Sequence, residues 1–69
     1  MIFAEVAFPI SNFQKFTYII PGHLIKKIQV GTRVIAPIRS KNLQGIVVNI
    51  LDKFYYNGKI KKIRELIDE

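Results

Sequence analysis

Proline and glycine divide this 69-residue chain into short apolar runs, none of which approaches the roughly 20 residues of a membrane span. The first run, residues 2–8, alternates in polarity and ends at Pro9, and the second, residues 16–20, stops at Pro21-Gly22. Short runs that are alternating or rich in β-branched and aromatic residues, with such breakers between them, are typical of β-strands. The sequence therefore predicts a mostly β protein.

Two more strands are predicted in the middle of the chain. Residues 32–36 follow Gly31 and stop at Pro37, and residues 45–51 form the strongest β segment. Because the polar stretch between them, residues 39–42, favours a turn, we expect the two strands to pair as a hairpin. Gly45 predicts a bulge or a sharp bend, which helps a small sheet to curl.

The remaining segments are less regular. Residues 23–30 fit a single helical turn or an irregular bridge, and residues 54–58 an aromatic loop that ends in an Asn-Gly turn. The isoleucines in residues 59–67 satisfy both a helical and a strand spacing. Together the segments predict one domain over residues 1–69, built as a small curled sheet or partly open barrel of about five short strands, with one short helical turn.

Basic residues outnumber acidic ones by eleven to five, which gives a formal net charge of +6. A surplus of this size in a small domain predicts an anionic partner, with nucleic acid first and an acidic membrane or protein surface as alternatives. The simpler alternative is that the charges only keep the domain soluble.

Catalysis and metal binding require residues that this chain lacks. It has no cysteine and a single histidine, His23, which cannot form a zinc site alone. Three of the five acidic residues fall within residues 65–69, which favours a solvated tail over paired catalytic carboxylates. Gly58-Lys59 lacks the other residues of a nucleotide-binding loop. We therefore expect a binding domain with no catalytic residue, metal or cofactor.

The first residues lack the basic start and the long apolar run of a signal peptide. We therefore expect a cytoplasmic protein that is not associated with a membrane.

Five short motifs in a fixed order extend over nearly the whole chain. They are Ala4-x-Val6, Phe16-x-Tyr18-x-x-Pro21, Val30-Gly31-x-Arg33-Val34-x-x-Pro37, Gly45-Ile46-Val47 and Ile60-Lys61-x-Ile63. In this order they resemble the amino-terminal domain of primosomal protein N-prime (PriA), the bacterial replication-restart helicase, which is ATP-dependent. The resemblance implies a domain of a larger helicase, and we expect the domain to be a monomer.

That resemblance also implies what the domain binds. It captures the 3′ end of single-stranded DNA, the nascent leading strand at a stalled replication fork, and so places the helicase domains that follow it. The implied partners are the 3′ end, forked DNA and the remaining helicase domains of the same protein. The alternative, from charge and fold alone, is a basic barrel for protein–protein contacts or non-specific RNA binding.

The resemblance implies a pocket made by Phe16, Thr17 and Tyr18 together with Lys61 from the last segment. In such a pocket an aromatic ring stacks on the terminal base, a small polar side chain bonds the base or the sugar hydroxyl, and an ammonium meets phosphate. The family often has Asp where this chain has Thr17, and Gly where it has Arg39. Arg39 then either crowds the pocket or adds a phosphate contact.

Each of these residues also has a purely structural interpretation. Alternation places Phe16 on a face that suits the core as well as stacking, whereas the hydroxyl of Tyr18 argues against a core position. Thr17 fits an ordinary exposed strand position, and Lys61 lies in a basic cluster that fits a solvated face.

Two further groups of residues are left with two interpretations. Arg33 and Lys41 extend a phosphate track or are ordinary hairpin charges. Residues 54–56 stack on a second base or cover an open barrel end.

Overall fold

The computed structural model describes residues 1–10, 12, 14–55 and 58–67. The strands in these residues form one antiparallel sheet in the order β2-β1-β4-β3-β5. They are β1 (Phe3–Ala7), β2 (Lys15–Ile19), β3 (Arg33–Ile38), β4 (Lys41–Leu51) and β5 (Glu65–Leu66), and a 3₁₀ turn at Gly22–Leu24 follows β2. The predicted mostly β fold with five short strands and one helical turn is confirmed.

The sheet curls without closing, because β2 and β5 lie at its two edges and do not pair. Residues 59–64, which we call the closing segment, run between these edges. Ile19 in β2 donates to the carbonyl of Lys61 (2.9 Å) and accepts from the amide of Ile63 (3.1 Å), while Arg64 donates to the carbonyl of Ile35 in β3 (2.8 Å). The closing segment is therefore extended and joins β2 to β3. The spacing of its isoleucines fitted both a helix and a strand, and the structure has the strand-like conformation.

The predicted hairpin of β3 and β4 is confirmed, but its turn is shorter than expected. Ile38 lies opposite Lys41, so the turn has only two residues, and β4 begins at Lys41 instead of Gly45. Pro37, however, lies within β3 and does not end it. The carbonyls of Arg33 and Ile35 face the side of β3 where β5 lies. Every second residue of a strand points its backbone polar groups to the same side, so the nitrogen of Pro37 faces this side too, at a point beyond the end of β5. The missing N–H of proline therefore removes no ladder hydrogen bond.

The bulge predicted at Gly45 lies three residues away. Gly45 pairs regularly with Val34, whereas the register between β1 and β4 shifts so that Val48 is the extra residue. The need for glycine at position 45 comes from packing, because a Cβ there would lie 2.6 Å from the Cγ1 of Val6 and 2.8 Å from the ring of Phe8. A close approach of strands thus explains this glycine.

The concave side of the sheet encloses the core. Leu24 and Ile28, from the 3₁₀ turn and the bend after it, contribute to it, and Ile63 of the closing segment is only 2% exposed. No helix in the described part of the chain is long and apolar enough to cross a membrane. The buried cluster consists of Ala4, Val6, Phe8, Tyr18, Ile20, Leu24, Ile28, Val34, Ala36, Val47 and Ile63.

Candidate nucleic-acid interface

Three segments form the walls of one cleft of about 280 Å³, which we call the first cleft, and Phe54 from a fourth segment also lines it. Strand β2 forms one wall, the end of β3 with its turn forms another, and the closing segment forms the third. All five residues that the sequence assigned to binding line this cleft. The lining residues are Phe16, Thr17, Tyr18, Pro37, Ile38, Arg39, Phe54, Lys59, Ile60 and Lys61.

Phe16 presents part of its ring to solvent, since it is 40% exposed. Its centroid lies 6.2 Å from that of Phe8, a buried core residue, at an interplanar angle of 53°. The ring is thus held from behind by the core while remaining accessible in front. This position suits a surface on which a flat group stacks, and it is not a core position.

Thr17, next to Phe16, is half-buried in the wall of the first cleft. Backbone hydrogen bonds of an antiparallel strand point alternately to its two edges. Ile20 bonds towards β1, whereas Ile19 bonds outward to the closing segment. The N–H and C=O groups of Thr17 therefore project from the same outer edge as those of Ile19, beside the first cleft. Strand β2 offers the cleft a hydroxyl and backbone polar groups.

Tyr18 lies in the core, 3% exposed, and the expectation against a core position was wrong. Its hydroxyl has the partner it needs, because it donates a 2.8 Å hydrogen bond to the carbonyl of Pro37. The ring meets that of Phe8 edge-on, with centroids 6.0 Å apart. Desolvation by burial raises the pKa of Tyr18 from 10.0 to about 12. Tyr18 thus contributes a neutral floor to the first cleft.

Arg39 and Lys61 form the basic rim of the first cleft. The ammonium of Lys61 donates to the backbone carbonyl of Arg39 at 3.4 Å, which joins the closing segment to the hairpin turn. Arg39 has a left-handed backbone, with φ of 57°, and is exposed. Glycine adopts this conformation without strain, which accounts for the glycine that the resemblance places at this position. Arg39 is one of the residues that line the first cleft.

A second cleft, of about 390 Å³, adjoins the first. It shares four residues with the first cleft and adds Lys62 and Arg64, and neither lining contains a carboxylate. Sequence reasoning noticed the basic cluster but singled out only Lys61; the run of cations at positions 59–64 was the available signal. The second cleft is lined by Pro37, Arg39, Ile60, Lys61, Lys62 and Arg64.

Other candidate residues lie outside the two clefts or only partly in them. Arg33 and Lys41 line neither cleft. Phe54 lines the first cleft and packs on Phe3, with ring centroids 5.8 Å apart, which favours a covering role. Tyr55 is 88% exposed, and Tyr56 lies outside the described residues.

A small open β-sheet with an accessible aromatic ring in a basic cleft has the features of a single-stranded nucleic-acid-binding domain. Within the described ranges, no three histidine, cysteine or acidic residues are grouped so that they would hold a metal ion.

The sequence matches, over residues 5–69, the PriA family described as 3′DNA-binding domain (3′BD). The chain belongs to this family and is a DNA-binding domain. A search of curated proteins found no match.

Proposed function

We propose that the first cleft holds the 3′-terminal nucleotide of a DNA single strand. The observation that supports this most directly is that Phe16, Thr17, Tyr18, Arg39 and Lys61, which come from three distant segments, line one cleft. Phe16 stacks on the terminal base, and the rim cations meet the phosphate on its 5′ side. The domain makes contacts only and supplies no catalytic group.

The first cleft recognises a strand end by the group on the 3′ oxygen position of the sugar that it holds. A terminal sugar carries a free 3′ hydroxyl, whereas an internal one carries a charged phosphodiester. The hydroxyl needs one neutral partner, which Thr17 or the backbone edge of β2 supplies. A terminal phosphate placed against the ring of Phe16 and the floor formed by Tyr18 would lose hydration that one neutral partner does not replace. The cleft therefore favours a hydroxyl.

The base itself is accepted with little selectivity. The lining contains no Asn, Gln, Asp or Glu, which are the side chains that read base edges by paired hydrogen bonds, and its arginine lies on the rim. Stacking on Phe16 serves every base, since each has a π-face. Thr17 in place of the family's frequent Asp removes a negative charge that would repel nearby phosphate.

In a larger PriA-type helicase, a domain that holds the 3′ end of the nascent leading strand places the following helicase domains at a stalled fork. The partners of the domain are then forked DNA and the helicase domains of the same cytoplasmic, monomeric protein. Family membership supports this role, because the family is described by its binding of DNA 3′ ends.

The test is a comparison of two 5′-labelled oligonucleotides that are identical except at the 3′ end, one with a hydroxyl and one with a phosphate. We expect fluorescence anisotropy to show about tenfold tighter binding of the hydroxyl form, since an unsatisfied buried polar group costs roughly 1–3 kcal/mol. Equal affinities would refute end recognition. Affinity that ignores the end, treats RNA and DNA alike and falls steeply with salt would support the non-specific RNA-binding alternative instead.

Two substitutions assign the effect to the first cleft. Phe16→Ala removes the stacking ring, which is worth roughly 1–3 kcal/mol per base, and Lys61→Gln removes a rim cation. Both should weaken binding of the hydroxyl form. Lys26→Gln is the matched control for charge, because Lys26 is exposed and lines neither cleft.

A further inference from the structure

We infer that the second cleft is a phosphate-binding subsite for the nucleotides that precede the terminal one, so that the strand leaves the first cleft across Lys61 and past Lys62 and Arg64. This inference rests on the proposed function of the first cleft. Its ligand is the phosphodiester backbone of single-stranded DNA. The reasons are the charge, the fixed backbone and the continuity of the two clefts.

All the charged residues that line the second cleft are positive. Four of its six lining residues are cations, namely Arg39, Lys61, Lys62 and Arg64, and no carboxylate is among them. No aromatic residue lines it, so it offers no surface on which a base would stack. Such a lining binds phosphate oxygens without regard to sequence.

The backbone of the closing segment holds these cations in place. Ile63 is buried between Lys62 and Arg64, and its amide donates to Ile19 in β2. The amide of Arg64 donates to Ile35 in β3. Both flanking cations are exposed, so their side chains remain available while their main chain is fixed on both sides. Less ordering of the backbone is then required when DNA binds, which favours affinity.

The two clefts are continuous. They share Pro37, Arg39, Ile60 and Lys61, and the hydrogen bond from Lys61 to the carbonyl of Arg39 lies at their common border. A strand whose last nucleotide occupies the first cleft therefore meets the second cleft next, without crossing an uncharged surface. The nucleotides immediately 5′ of the end are the ones that reach Lys62 and Arg64.

The test compares the double variant Lys62→Gln/Arg64→Gln with Lys26→Gln/Lys27→Gln, which changes the net charge equally at exposed residues outside both clefts. The ligands are a dinucleotide and an octanucleotide with free 3′ hydroxyls, each titrated at several salt concentrations, and thermal melting confirms that all variants fold. For the octanucleotide, the Lys62/Arg64 variant should bind about tenfold more weakly. The slope of log K against log salt should also become shallower by about 1.4, because each of two lost phosphate contacts contributes about 0.7. Dinucleotide binding should change far less.

An unchanged slope, or an equal loss in the Lys26/Lys27 control, would overturn the inference. The preference for a 3′ hydroxyl over a 3′ phosphate is measured on the same variants and should be unaffected. If wild type shows no such preference, the proposed function of the first cleft fails, while the slope and length comparisons still decide on the second cleft.

Discussion

The hydroxyl of Tyr18 donates a 2.8 Å hydrogen bond to the carbonyl of Pro37, which connects β2 with the end of β3. The carbonyl of Pro37 faces the side of β3 beyond the last pair of β5, where no strand continues the ladder. A side chain thus satisfies a backbone group that a longer β5 would otherwise pair. Because both residues line the first cleft, this bond fixes the separation of two of its walls.

Burial of Tyr18 makes the stability of the domain sensitive to alkaline pH. Its pKa is about 12 in the folded protein against 10.0 ordinarily, so the folded state holds the proton more tightly than the unfolded state. The resulting stabilisation is complete below pH 10 and is lost as the pH rises through 12. Two pKa units correspond to about 3 kcal/mol in the free energy of unfolding. Urea unfolding between pH 7 and pH 11.5 measures the larger part of this loss, about 2 kcal/mol, because the folded protein still holds most of the Tyr18 protons at pH 11.5.

Tyr18→Phe separates this titration from that of the other groups. At pH 7 the variant should be less stable by roughly 1–2 kcal/mol, because the Pro37 carbonyl loses its donor. The difference from wild type should shrink as the pH rises above 10. Tyr55→Phe, at an exposed position, should follow wild type throughout. A constant difference between Tyr18→Phe and wild type would contradict the prediction.

Arg39→Gly should raise stability and lower DNA affinity. The φ of 57° at Arg39 costs a non-glycine residue about 1–2 kcal/mol, part of which glycine offsets by its greater freedom when unfolded. We expect a net gain of about 1 kcal/mol and a rise in Tm of roughly 4–8 °C, seen by thermal melting. Binding should weaken because a rim cation is lost. Arg39→Lys keeps both the charge and the strain, and its Tm should stay near that of wild type.

Gly45→Ala should destabilise the domain. The added methyl group would lie 2.6–2.8 Å from buried atoms of Val6 and Phe8, so side chains or strands must shift, at a cost of about 1–3 kcal/mol. Denaturant unfolding measures this loss. Gly22→Ala is the control, since no atom lies within 4 Å of the corresponding Cβ. Equal stability of the two variants would show that the strands yield more easily than their packing indicates.

Thr17→Val tests the hydroxyl in the wall of the first cleft. The two side chains have nearly the same shape, and valine suits a strand, so the melting temperature should change little. The loss of one hydrogen bond, about 1 kcal/mol, should reduce affinity for the 3′-hydroxyl oligonucleotide about fivefold. Binding of the 3′-phosphate form should be nearly unaffected. If both forms weaken equally, Thr17 contacts a part of the nucleotide other than its end.

Much of the fold could be predicted because breakers and alternation are local signals. β1 ends just before Pro9, one residue earlier than expected, and the first two polar residues after Ile38 form the hairpin turn. The errors concern what neighbouring strands do. Pro37 continues β3 because β5 stops short of it, and Gly45 is required by the approach of Val6 in β1 and of Phe8 just after it. Neither partner is visible in the local sequence.

The candidate site was predictable where the family pattern specified residues, and less so where packing decides. The five assigned residues do line one cleft, but periodicity alone could not distinguish Phe16, partly exposed, from Tyr18, buried on the same face. What separates them is a partner, the carbonyl of Pro37, 19 residues away in the chain. Lys62 and Arg64 join a cleft only because the closing segment is extended between two strands.

The closing segment bridges β2 and β3 through a few backbone hydrogen bonds, and it also carries most of the cations of both clefts. A local loss of these hydrogen bonds would disperse the charges, so the binding surface exists only while the closing segment is bonded to both strands. Bound DNA must in turn disfavour this loss by mass action. Amide exchange at Ile63 and Arg64 should consequently slow in the complex. Mutations that weaken the hydrogen bonds of the closing segment would reduce binding even where the mutated residue does not contact the nucleic acid.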